Sequence, residues 1–190
     1  MPRSPRVVEP NGIYHLMPRG NDGRRIFVRN ADREGFLVRL EKVAKRHGWL
    51  VYGYCLMDNH AHFLVQIADG GLSEGMQELL GGYTRWWNRE HGHVGHLFRN
   101  RFKDVPVKSQ DQLLVTLRYI DLNPVAARMK FRPEQWPWSS YRAHIGLSHP
   151  PRFLANAEFL KLWGSTPDQA RAAYARFVDQ GRLSVSDTEG

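Results

Sequence analysis

Apolar and polar positions along the chain follow two periods, and the alternation between them outlines the fold. Stretches of strand character are Ile13 to Met17, the aromatic and branched run Leu50-Val51-Tyr52-Gly53-Tyr54-Cys55-Leu56, and the apolar run that resumes after Asp58-Asn59. Arg101 to Lys108 alternates charge with apolar character and forms a fourth strand, which Pro106, lacking an amide donor, confines to a sheet edge. Helical spacing appears in Phe36, Leu37, Leu40, Val43 and Ala44, in a helix opening at Asn30-Ala31-Asp32 and closing near His47-Gly48. It recurs after Leu72-Ser73-Glu74 in Met76, Leu79, Leu80, Tyr83, Trp86 and Trp87, and after Ser109 in residues 113, 114, 117, 120 and 122. Ser109 suits an N-cap, and the residue before Pro124 disfavours helical backbone, so this third helix is expected to end at Leu122 or Asn123. The order β-α-β-β-α-β followed by a helix predicts an α+β fold, a ferredoxin-like antiparallel sheet with two helices on one face.

The two middle strands read as a hairpin around Asp58-Asn59, residue types that tolerate positive φ. Side chains alternate along a strand, so His60 and His62 project side by side while Ala61 and Phe63 face the other way. Two neighbouring imidazoles can share one metal ion, although His-x-His on a strand also occurs as an ordinary hydrogen-bonded pair. Downstream, Tyr119 and Asn123 are four apart and lie one above the other on a helix, bringing a phenol and an amide to one place. Taken singly they read as a core tyrosine and a helix C-cap.

Composition and charge narrow the function classes. The chain has 190 residues, 42% hydrophobic, enough for a real core. No run approaches the ~18 apolar residues of a membrane helix, and Met1-Pro2-Arg3-Ser4-Pro5-Arg6-Val7-Val8 lacks a signal peptide's apolar stretch, so a cytoplasmic, nucleoid-associated protein is expected. The one cysteine, Cys55, excludes an internal disulfide and sits in an apolar strand as a core thiol. A net charge of +8, carried mostly by arginine, suits phosphate contacts.

Several stretches together carry a likeness: Gly12-Ile13-Tyr14-His15 with Arg19-Gly20-Asn21, Leu56-Met57-Asp58-Asn59-His60 with His62, Tyr83 through Asn88, Gly95-His96-Leu97-Phe98 with Arg101-Phe102, Tyr119 with Asn123-Pro124-Val125, and Trp138-Ser139-Ser140-Tyr141. In this order, over about residues 8 to 147, they resemble the HUH single-stranded-DNA transposases of the insertion-sequence type, and more closely the REP-associated tyrosine transposases. The resemblance implies a catalytic domain over 1–148, with the tyrosine helix laid against the sheet, and a C-terminal helical extension over 149–190. That extension lies outside the likeness and reads as two short helices, Ala157 to Trp163 and Pro167 to Gln180, then a frayed end from Ser184.

The implied activity is metal-dependent cleavage and rejoining of single-stranded or hairpin DNA, at repeated extragenic palindromes, through a 5′-phosphotyrosine intermediate. Tyr119 is then the nucleophile, and His60, His62 and Asn123 are the metal ligands. Nitrogen ligands favour Mn²⁺ or Zn²⁺ over Mg²⁺, whereas the family's usage points to Mg²⁺ or Mn²⁺. A free phenol titrates near ~10, so attack at neutral pH needs the metal or a base nearby. Candidate DNA contacts are Arg19, Asn21, Arg24 and Arg25 in the first loop, with Arg85, Arg89, Arg99, Arg101 and Lys103 around the second helix and fourth strand. Two further readings stay open: a catalytically silent DNA-binding or regulatory protein, and a metal-dependent phosphodiesterase that uses water. Tyr83 is the rival nucleophile. His91, His93 and His96 form a polar loop or a second metal site, His15 faces either core or active site, and Trp136 and Trp138 serve as an aromatic clasp over the tyrosine helix or, where a ring is exposed, as a stacking surface for a flipped base. Monomer and homodimer, with Tyr119 acting in cis or in trans, are equally compatible with the sequence.

Overall fold

Four strands, β1 (Ile13–Met17), β2 (Leu50–Leu56), β3 (Ala61–Gln66) and β4 (Lys103–Val107), pair antiparallel in the order β2-β3-β1-β4. The computed structural model describes residues 8–68, 71–99 and 102–186. Because side chains alternate, Tyr14, Leu16, Ala61, Phe63 and Val65 bury against α1 (Asn30–His47) and α2 (Leu72–His91) on one face. The other face carries Ile13, Cys55 and Leu64 and receives α3 (Gln110–Ala126). Pro106 stands on β4, at the sheet edge, as its missing amide requires. The α+β ferredoxin-like expectation therefore holds.

A register shift between Val51 and Gly53 inserts one residue into β2, so that Tyr54 and Leu56 face α1 and α2 while Cys55 faces α3. Gly53 also sets how closely α3 approaches, since a Cβ there would stand 2.7 Å from Leu117 Cδ2, a fully buried side chain of α3. Gly53→Ala should therefore lower stability by about 1–3 kcal/mol, outweighing the roughly 0.5–1 kcal/mol a strand gains on losing a glycine. Urea unfolding checks this; an unchanged or raised midpoint would show that Leu117 moves aside freely.

The helix boundaries depart from the sequence pattern in two places. Ser109 caps α3 as expected, its Oγ accepting from Gln112 N at 3.1 Å, but the helix continues through Pro124 to Ala126. Pro124 lies in the last turn, where its missing N–H removes a single intrahelical bond, and backbone bonds from Ala127 N to Asn123 O and Met129 N to Pro124 O close the end. Beyond the short helix α4 (Tyr141–His144), the tail forms α5 (Asn156–Lys161) and α6 (Pro167–Ser186). α6 runs six residues past the expected end at 180. Its packing on α3 continues past that point: Tyr174 and Val178 share the core of α3, the Arg118 guanidinium lies 4.2 Å from the centre of the Phe177 ring, and Gly181 is so close that a Cβ there would stand 2.5 Å from Arg118 Cδ. Residues 187–190 of the stretch expected to fray lie outside the described residues.

Buried Asp121, which lies on α3 between Tyr119 and Asn123, binds this tail to the helix. It accepts from Tyr174 Oη at 2.5 Å and from Ser140 Oγ at 3.5 Å. The segment 138–140 bonds along β2 through Leu56 N to Trp138 O and Ser140 N to Tyr54 O. Trp136 packs in the α3 cluster, and Trp138 touches both cores, so both rings are structural. They also face Arg33 at 5.4 and 5.7 Å, and Arg33 holds Asp58 of the hairpin turn at 2.5 Å. No helix among the described residues is long and apolar enough to cross a membrane.

Candidate active site

The histidine hairpin is fixed by the loop that follows β1. Asp58 O accepts from Ile26 N and Phe27 N, and Asn59 O accepts from Gly20 N. Held this way, the turn does not use positive φ at Asp58 or Asn59, contrary to the sequence expectation. Gly20 is required for the close approach, because a Cβ there would fall 2.1 Å from Arg24 O. The same loop bridges Arg19 to His60 and Gly20 to Phe98, and Arg99 N donates to Arg19 O at 2.8 Å. Arg19 and Arg99 are thus tied side by side next to the histidines.

His60 and His62 lie with ring centres 5.0 Å apart, as the strand alternation predicts. Tyr119, on the facing helix, sits 5.6 Å from the His62 ring centre and is 54% exposed. Asn123, one turn later, lies beside both imidazoles, and its Nδ2 donates to Tyr119 O at 2.9 Å, which leaves the amide oxygen to meet the rings. With Met17, Arg19, Arg99 and Lys103, the residues His60, His62 and Tyr119 line a cleft of about 460 Å³, and Asn123 stands behind them against the two rings. All four of the residues singled out for chemistry therefore meet within one chain.

The protonation states follow from the contacts. His60 Nδ1 bonds Asn59 Oδ1 at 2.7 Å; the oxygen can only accept, so Nδ1 carries the proton and Nε2 keeps its lone pair. Burial lowers the His60 pKa, the Arg19 charge lowers it further, and the Asn123 amide partly offsets them. His62 is pushed down to about 3 by burial and then by His15 and His60, while its buried Nε2 has no hydrogen-bond partner. Burial, with Lys103, takes His15 down to about 4. All three rings are held in the neutral form, the form that binds metals.

This carries a stability consequence. The folded pKa values of about 4 and about 3 lie below the ordinary 6.5, so between these limits the unfolded chain binds more protons. In metal-free protein, stability should fall as pH drops from about 7 to about 5, above most carboxylate titration. Equal urea midpoints at the two pH values would show that the rings are not held neutral.

Other sequence candidates fall elsewhere. Lys103 reaches the cleft, but Arg25 pairs with Asp58 at 2.7 Å and Arg24 contacts the His93 imidazole. Asn21 Nδ2 donates to Asp22, Arg89 pairs with Glu90 at 3.7 Å, and Arg85 stands on α2 beside Gly81, outside the cleft. Arg101 lies outside the described residues. Tyr83 is fully buried, donates to Ile26 O at 2.7 Å and has its pKa raised by burial, which removes it as a nucleophile. His91 ends α2 and bonds buried Asp32 at 2.9 Å, while His93 bonds Asn88, so these rings brace helix ends, and among the described residues no group of three His, Cys, Asp or Glu side chains there is placed to hold a metal. Cys55 is wholly buried with its thiol pKa raised, as a core residue should be. Sequence reasoning left His15 undecided; it faces the cleft side, bonded to His62 at 2.9 Å.

The family described as "Transposase IS200 like" matches residues 9–123. No curated protein matches the chain. Among solved structures, a REP-associated tyrosine transposase bound to a REP hairpin superposes with a TM-score of 0.65 at 15% identity, over 80% of this chain and 89% of that one. A putative transposase from Deinococcus radiodurans R1 gives a TM-score of 0.45 at 17% identity, over 64% of this chain and 96% of that one. The family match spans more than half of the sequence, from just before β1 through Tyr119 to Asn123, and the chain belongs to the IS200-like transposase family.

Proposed function

We propose that the protein is a metal-dependent tyrosine endonuclease and strand transferase that cuts and rejoins single-stranded or hairpin DNA, at repeated palindromic elements, with Tyr119 acting in cis. The observation that carries this reading is the meeting of Tyr119, His60 and His62 in one cationic cleft of one chain, with Asn123 against both imidazoles. A likeness in fold to a transposase bound to a REP hairpin supports the choice of substrate. The reading places the protein with the cell's DNA, in the cytoplasm.

The donor set fits a divalent cation. Among the described residues no three His, Cys, Asp or Glu side chains converge on one point, so the set is two imidazoles and an amide. His60 Nε2 is bare by tautomer, His62 Nε2 is buried without a partner, and Asn123 supplies an oxygen. Mg²⁺ or Mn²⁺ bound there would neutralise charge developing on the phosphoryl oxygens. Arg19, Arg99 and Lys103 hold the phosphate backbone against the cleft. The half-exposed Tyr119 Oη attacks phosphorus, the P–O3′ bond breaks, and the phenol proton is released as the departing oxygen becomes a 3′-hydroxyl. The downstream segment stays joined to the tyrosine by its 5′-phosphate, so its phosphoryl bond is kept for rejoining without a nucleotide cofactor.

Incubating the protein with 3′-labelled single-stranded hairpin DNA and Mn²⁺ tests this. Label should move to a denaturation-resistant protein band. Cutting without any adduct would make water the nucleophile, and hairpin binding without cutting would make the protein a silent binder.

A further inference from the structure

We propose that His15 is a positioning residue for the metal site: it accepts a hydrogen bond from His62 Nδ1–H and so fixes the tautomer in which His62 Nε2 is a free ligand. The inference rests on the metal role given to His60 and His62 above.

The placement comes from strand register. His15 on β1 pairs with Leu64 of β3, so His62, two residues before Leu64, is its diagonal neighbour on the same sheet face. The two rings lie 5.1 Å apart between centres and nearly stacked, with His15 Nε2 2.9 Å from His62 Nδ1. Both are almost completely buried, at 7% and 3% exposure, so water does not substitute for either partner.

Two neutral rings share this bond in one of two ways. If His15 donates, His62 Nδ1 accepts and its proton sits on Nε2, a buried atom with no hydrogen-bond partner in the structure, where the proton blocks the lone pair a metal needs. If His62 donates, Nε2 is a bare lone pair aimed at the cleft. The second arrangement avoids the orphaned donor and makes the ring a ligand. It is the role second-sphere acceptors play at other metal-bound histidines, where a partner on the far nitrogen sets tautomer and orientation. His60 receives the equivalent service from Asn59 Oδ1, so both imidazoles have the far nitrogen occupied.

Mn²⁺ binding to the DNA-free full-length protein, measured by titration calorimetry, provides the test. His15→Leu, which fills space without an acceptor, should weaken Mn²⁺ binding about 10–100-fold. His15→Gln, whose amide oxygen can take the place of Nε2, should restore most of that affinity. Wild-type affinity in His15→Leu, or equal weakness in both variants, would overturn the proposal in favour of packing or direct ligation. His62→Ala separates the two levels: if it leaves Mn²⁺ binding unchanged, the metal reading itself is wrong and this proposal goes with it. If His15→Leu does not fold, nitrogen-15 imidazole spectra of the metal-free wild type decide the matter. The Nδ1–H tautomer at His62 supports the proposal, and the Nε2–H tautomer refutes it.

Discussion

Tyr119→Phe should abolish the protein-linked DNA product and lower cleavage by roughly 10³-fold or more, while DNA binding and stability stay near wild type. The variant removes one oxygen. That oxygen belongs to a side chain 54% exposed, so its loss leaves no buried group unpaired. The ring's edge contacts with His15 and His62, at 5.9 and 5.6 Å between centres, are available to phenylalanine as well. Binding depends on the cations of the cleft, which the substitution leaves in place. Denaturing gels with 3′-labelled DNA read the adduct, and filter binding reads affinity. An adduct that survives in Tyr119→Phe would place the nucleophile elsewhere. Tyr83 is not available for that role, being buried and donating to Ile26 O.

How much of this site the sequence discloses depends on whether local geometry suffices. His60 and His62 share a face because a strand repeats every two residues, and Tyr119 and Asn123 share one because a helix nearly repeats every four. Both pairs are legible from spacing, and so is the order of strands and helices that brings them together. His15 is different. Alternation leaves it opposite the core residues Tyr14 and Leu16, but only the β1–β3 register puts it beside His62, and register is a property of the pairing.

The cations show the same limit. Arg19, Arg25, Arg89 and Arg99 are one residue type on similar stretches, yet Arg19 and Arg99 border the cleft while Arg25 and Arg89 meet Asp58 and Glu90. Partner carboxylates brought in by the fold decide between these outcomes. The tail is a third case. Its amphipathic stripe reads as a docking face, but the buried Asp121 that receives Tyr174 lies on the tyrosine helix itself, 53 residues earlier. A buried acid in a helical pattern points to a partner without naming it.

His60→Ala and His62→Ala should each reduce cleavage by about 10²–10³-fold and leave hairpin binding largely intact, because phosphate contacts carry affinity and the histidines act on the charge of the transition state. The two variants are not equivalent physically. His62 is buried and bonded to His15, so removing it strands His15 Nε2 in the core at about 1–3 kcal/mol. His60 is less buried, and its far nitrogen meets the side chain of neighbouring Asn59 at the hairpin turn, so His60→Ala isolates the chemistry more cleanly. Stability measured beside activity separates the effects: His60→Ala should lose cleavage at nearly unchanged stability, whereas His62→Ala should lose both. Chelation by EDTA should reproduce the loss of cleavage in wild type and add little to either variant. Wild-type cleavage that persists in EDTA, or a His60→Ala variant that cuts at the wild-type rate, would remove the metal from the mechanism and leave Arg19, Arg99 and Lys103 as the cleft's means of stabilising the phosphoryl charge.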